Sequence, residues 1–189
     1  MREGHEQADD REHAAVAAKR KKKSAGKRPT GGIQIRRAAG SKSYELLFPP
    51  SVRERSEDME EVHAMIAAGE TDIAIDELRW LLGGCHELLE AHKLLGDLAL
   101  ADGDTDLARA HFGYAYELGI DAIGKRGLDR PLPHANPANQ AFHEAGAHLV
   151  QTLIKLGEPK MAKTVAKRLV DLDPADPLEI GQMIAQAKL

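Results

Sequence analysis

Nine histidines are the first residues of this 189-residue chain to suggest chemistry. His143 and His148 bracket Glu144, close to the pattern by which a zinc hydrolase takes two ligands and a general base from one helix. That pattern needs its histidines four residues apart. Here they are five apart, which turns them about 140° from each other on a helix. His86 and His92 are six apart and diverge too. No metal site is expected, and His63, His92 and His111 are expected at the polar edge of the fold. Cys85 follows Gly83-Gly84 at the end of a helical segment. It lacks the N-terminal dipole that lowers a thiol pKa, so it reads as a buried structural cysteine. Asp104 and Asp106 stand where a helix begins and suit its dipole. Gly31-Gly32 is followed by Ile-Gln-Ile-Arg-Arg, without the Lys-Ser/Thr of a phosphate loop. These residues point away from an enzyme, a metal and a cofactor.

Composition bounds the rest. A chain of this length makes one domain with a modest core. One cysteine allows no intramolecular disulfide and no Cys-cluster zinc site, and fits a reducing compartment. No apolar run approaches the ~20 residues of a membrane span. The N-terminus has no apolar stretch after its charges, so no secretory signal is read there and a cytoplasmic location is expected, or a nuclear one in a eukaryote. The net charge of -4 conceals an asymmetry. Residues 1–43 carry 12 Lys/Arg and 5 Asp/Glu, a balance of +7, leaving 14 and 25, a balance of -11, for the remainder. Lys19, Arg20, Lys21, Lys22, Lys23, Lys27, Arg28, Arg36 and Arg37 give this arm its charge, and with so little apolar surface residues 1–43 are expected to be disordered.

The elements beyond it are helical. Tyr44 to Pro50 reads as an extended strip against the first helix, since its prolines stop a helix there. Ser51 to Glu54 fits a capping box. Val52, Met59, Val62, Met65 and Ile66 then form a helical stripe ended by Gly69. Thr71 is expected to cap a second helix, with Ile73, Ala74, Ile75, Leu78, Leu81 and Leu82 on its apolar face. The scheme repeats. Gly69, Gly103 and Gly157 sit in similar phrases, each with alanine five residues on, at Ala74, Ala108 and Ala162. Gly69 and Gly103 are 34 apart; Gly103 and Gly157 are 54 apart, an extra 20 that fall at about 123–142 with Pro131, Pro133 and Pro137. A period of 34 with a Gly turn marks paired helices stacked in an array. A last amphipathic segment at 177–187 is expected to cap the stack.

Over about 55–176 the chain resembles the tetratricopeptide repeat (TPR), with repeats at 55–88, 89–122 and 143–176. The middle repeat matches best, with Leu95-Gly96, Gly103, Ala108, Phe112 and Ala115 in register; the third keeps Leu149, Leu153, Ala162, Ala166 and Pro174, and the first Met65, Ala74, Leu78 and Leu81. The aromatic of the fourth position is replaced by Asp58, His92 and Gly146. The resemblance implies an all-α superhelix of three helix pairs whose first helices line a concave groove. It places Met59, His63 and Ile66, then Glu90, Lys93, Asp97 and Leu100, then Glu144, Ala147, Gln151 and Ile154 in that groove. Asp97 and Ala147 do not suit the chaperone-terminus clamp of some members. A mixed polar and apolar groove suits an unidentified protein's peptide or helix.

The expected function is therefore non-catalytic protein binding. The rival reading is a nucleic-acid-associated protein whose arm holds phosphates without sequence preference, as no aromatic stands between residues 1 and 43. A nuclear-import signal, a solvated tail, and a tail resting on the acidic body are further readings of the arm.

Overall fold

The computed structural model describes residues 32–124 and 127–188. Among these it holds eight helices and one two-stranded sheet. In chain order they are β1 (Gln34–Arg37), β2 (Tyr44–Leu47), α1 (Pro50–Arg53), α2 (Ser56–Ala68), α3 (Thr71–Gly84), α4 (Leu89–Ala101), α5 (Thr105–Ile123), α6 (Pro137–Lys155), α7 (Pro159–Leu172) and α8 (Ile180–Gln186).

The three repeated phrases become three copies of one turn. Gly69, Gly103 and Gly157 have φ of 79°, 83° and 71°, a conformation that glycine adopts without strain. In each copy the next residue's N–H reaches back over the helix end: Glu70 to Met65, Asp104 to Ala99 and Glu158 to Leu153, at 2.8–2.9 Å. These bonds satisfy helix carbonyls that would otherwise lack a partner. The alanines five residues past each glycine are wholly buried. Small side chains there let neighbouring helices approach closely.

Consecutive helices pack on each other from α2 to α8, and α4 also touches α6. Two apolar clusters result. One joins α2 and α3 to one side of α4 through Met59, Val62, Leu78, Leu81 and Leu94. The other runs from α4 to α8 and includes Leu46 of β2, with Phe112, Phe142, Leu153 and Leu169 at its centre. Asp176 caps α8, accepting from the backbone N–H groups of Ile180 and Gly181 at 2.8 Å each.

Six sequence expectations need correction. Residues 32–43 of the arm are ordered; residues 1–31 lie outside the described residues. β1 pairs antiparallel with β2, Arg36 facing Glu45, and Ile33 and Ile35 pack on the larger cluster. The charge count concealed those two apolar anchors. The 44–50 strip is a strand held by α6 rather than by the first helix: the buried Asn139 side chain accepts from Leu46 N–H at 2.9 Å. The capping box does not form, because Pro50–Arg53 makes a separate short helix and α2 starts after Arg55. Glu70, not Thr71, precedes α3. Finally, the insertion shrinks to residues 124–136, since α5 extends to Ile123 and α6 begins at Pro137. The final helix is likewise shorter than 177–187.

That connection is firmly stitched where it is described. Leu132 is buried and its N–H bonds to Leu172 O at 2.8 Å. His143 Nε2 donates to Leu132 O at 2.6 Å, which gives this buried histidine its partner. Tyr44 N–H bonds to Pro131 O, and its hydroxyl donates to Asp129, both at 2.7 Å.

Candidate interaction surface

The first helices of the second and third pairs, α4 and α6, lie side by side. Lys93 and Asp97 are one turn apart on α4, and their side chains pair at 3.2 Å. Both reach across to α6. Lys93 Nζ is 3.3 Å from Glu144. Asp97 Oδ1 is 2.8 Å from His148 Nδ1, an ion-pair distance without the alignment of a hydrogen bond. His134, from the connection before α6, comes within 3.4 Å of Glu144. One repeat earlier, His63 of α2 meets Glu90 of α4 at 2.7 Å. A ladder of lysine–carboxylate and histidine–carboxylate pairs therefore links the three first helices.

The ladder perturbs its members. Burial works against the Lys93 ammonium, but Asp97 and Glu144 outweigh it and hold its pKa above the ordinary value. Burial likewise opposes the Asp97 carboxylate, yet His148 and Lys93 prevail and its pKa is lowered.

Of the expected groove residues, Lys93, Asp97 and Glu144 come together and His63 meets Glu90. Gln151 is exposed, and its amide points at Met183 Sδ of α8, 3.7 Å away. Ile66, Leu100 and Ile154 are half-buried at the edges of the clusters. Met59 and Ala147 are not in a groove: they are buried in the core, 4% and 3% exposed. Lys19, Arg20, Lys21, Lys22, Lys23, Lys27 and Arg28 lie outside the described residues. Arg36 and Arg37 sit on β1, and Arg36 pairs with Glu45 at 2.6 Å. Asn136 bonds to that same carboxylate at 2.8 Å. With Arg36 it lowers the Glu45 pKa.

His134 and His148 were missed by the sequence reading. His148 follows Glu144 by one helical turn, so the two share a face; this was the available signal. His134 gave none, because a loop joins it to Glu144. Cys85 is buried, and that burial raises its thiol pKa, as a structural cysteine requires. Asp104 accepts from Leu107 N–H at 2.9 Å and caps α5. Among the described residues no three or more His, Cys, Asp or Glu side chains are grouped to hold a metal ion. No described helix is long and apolar enough to cross a membrane. No family model matches the chain, and no curated protein matches its sequence.

His92 corrects another expectation: it is a core residue, not an edge one. It is 9% exposed and packs on Tyr114, with ring centroids 4.6 Å apart. Its Nδ1 is 3.3 Å from His111 Nδ1, and its Nε2 is buried without a hydrogen-bond partner. Burial, followed by the nearness of His111, lowers its pKa from 6.5 to about 4. In the unfolded chain this histidine takes up a proton near pH 6.5; in the folded protein it does so only near pH 4. Stability is thus complete above pH 6.5 and falls as the pH drops toward 4. The loss at pH 5 should be on the order of 2 kcal/mol. Urea unfolding at pH 7.5 and 5 should show this fall in the native protein and a smaller one in His92→Gln. Equal falls in both would assign the acid sensitivity to other groups.

Proposed function

We propose that the protein is a non-catalytic protein-binding module. In this reading its helix pairs form a TPR-like superhelix closed by α8, and a partner's peptide or helix lies along α2, α4 and α6. The observation that carries the reading is the charged ladder across those helices, with Leu100, Gln151 and Ile154 beside it. Paired charges over apolar edges suit a ligand that supplies both hydrogen bonds and apolar side chains.

Affinity capture with mass spectrometry identifies the partner, and titration of that partner tests the face. Lys93→Ala together with Gln151→Ala should weaken binding by about 1–3 kcal/mol, as for hydrogen bonds to a desolvated ligand. Thermal melting checks that the variant is folded. Unchanged affinity in a folded variant would move the site off α4 and α6.

The charge of residues 1–43 supports a second reading, a nucleic-acid-associated protein. A salt titration against unrelated duplex DNA separates the two. The second reading expects steeply salt-dependent binding that is lost when Lys19, Arg20, Lys21, Lys22 and Lys23 are replaced by glutamine. The first expects no difference.

A further inference from the structure

Three of the four large apolar side chains that the described residues leave in solvent recur at one position; the fourth, Tyr114, lines the cleft between α5 and α7. Ile73, Leu107 and Met161 are 56%, 41% and 47% exposed. Each stands four residues past a turn glycine, Gly69, Gly103 or Gly157, so each is the third residue of a second helix: α3, α5 or α7. The repeat places one exposed apolar residue per pair on the second-helix face, away from the charged ladder.

Two clefts open beside this row. The first, about 410 Å3, lies between α3 and α5. The second, about 380 Å3, lies between α5 and α7. They are the same cleft repeated. Asp72, Leu95 and Leu107 line the first; Asp106, Leu149 and Met161 line the second. These are equivalent positions, separated by the 34- and 54-residue shifts of the turn glycines.

Their rims are mainly acidic. Asp72, Asp102 and Asp104 border the first cleft, Asp106 and Glu117 the second. Each cleft also has one arginine, but Arg79 pairs with Asp76 at 3.6 Å and Arg109 with Glu158 at 3.4 Å. Among the described residues lining the clefts, five carboxylates thus stand against two arginines, each paired with a further carboxylate. An apolar floor inside an acidic rim attracts an apolar side chain flanked by lysine or arginine.

Helix faces also decide the ligand's backbone. An extended peptide gains affinity by bonding to a sheet edge; a helix satisfies its own backbone and offers no such edge. Recognition must then rest on side-chain anchors. The two clefts are separated by the body of α5, ~10–12 Å across, which at 1.5 Å per residue spans about seven or eight residues of a bound helix. Two turns cover 7.2 residues, so anchors seven apart share a face.

We infer that the second-helix face is a docking surface for a basic amphipathic helix, whose apolar anchors seven residues apart enter the two clefts. This surface is distinct from the α2–α4–α6 face and does not depend on it.

The test uses the full chain and a fluorescent synthetic helix of about five turns, with two leucines seven residues apart among lysines. Fluorescence anisotropy should show saturable binding. Leu107→Ser with Met161→Ser should weaken it at least tenfold, as should Asp72→Lys with Asp106→Lys. Circular dichroism checks the fold of each variant. Lys93→Ala with Gln151→Ala should leave this binding unchanged, so failure of the α2–α4–α6 reading is seen separately. A peptide with glutamates in place of the lysines should not bind. Absent binding, equal binding of the acidic peptide, or folded cleft variants with unchanged affinity would overturn the inference. So would a dimer in sedimentation that Leu107→Ser with Met161→Ser dissolves, which would assign the clefts to a second copy of the chain.

Discussion

Asn139→Ala should destabilise the protein by about 2–5 kcal/mol, measured by urea unfolding at neutral pH, because several buried backbone groups lose their partner at once. The side chain is fully buried near the start of α6. Its Oδ1 accepts from Leu46 N–H at 2.9 Å, and its Nδ2 donates to Tyr44 O at 3.2 Å and Pro133 O at 2.9 Å. One amide therefore ties β2 and the 124–136 connection to the third helix pair. Leu46 is 2% exposed, so water does not readily replace the lost acceptor. Asn139→Asp should be at least as damaging, since it removes both donors. Asn136→Ala, which loses a half-buried bond to Glu45 and the α6 cap on Ala138 N–H, should cost about 1–2 kcal/mol. A cost at Asn139 no greater than at Asn136 would show that the Asn139 amide is not what holds β2.

Phe112→Ala should cost about 3–5 kcal/mol, the range for emptying a large aromatic site in a core. Phe112 is fully buried where α5 crosses α4, and its ring lies against the bare backbone of Gly96. A Cβ at residue 96 would fall 2.4 Å from the ring. Gly96→Ala should therefore cost about 1–3 kcal/mol from the opposite direction, by overpacking. The two changes share one space, so the double variant should lose less than the sum of the singles. Full additivity in a thermal or urea series would show that the residues do not share that space. A similar glycine–phenylalanine fit joins α5 to α6, where a Cβ on Gly119 would collide with the Phe142 ring.

The helices were legible because their punctuation is local. A glycine with a left-handed φ and an alanine five residues on recur three times, and both follow from the turn itself. Ile73, and Leu107 at the equivalent place in the next pair, show where apolar periodicity misleads. Periodicity assigns an apolar residue to a face, but not to the part of that face that a neighbour covers, and these two remain in solvent. The hairpin was illegible for a different reason. β1 and β2 are four residues each, and their hold comes from Asn139, 93 residues beyond Leu46. The ladder was half legible. Lys93, Asp97 and Glu144 were placed by the repeat resemblance, but His134 enters from a loop whose path depends on Leu132 and Asp173. Its N–H bonds to Asp173 Oδ2 at 2.8 Å.

The division of the apolar interior into two clusters has a consequence for how the molecule opens. Among the described residues, α2 and α3 bury their side chains mainly among themselves and against one side of α4, with Val52 of α1 beside them. α6 is held by α4, α5, α7, α8 and β2 together. In a stack whose members touch mainly their neighbours, an end member detaches without disturbing the rest. The first pair is thus the low-energy gate of the fold. Its amide hydrogens exchange with solvent through partial opening, whereas those of α6 wait for the whole chain to unfold. β2 lies before the first pair in sequence yet belongs to the late-opening unit. The chain thus runs out from its stable half through α2 and α3 and back again, and the detached pair stays tethered at both ends.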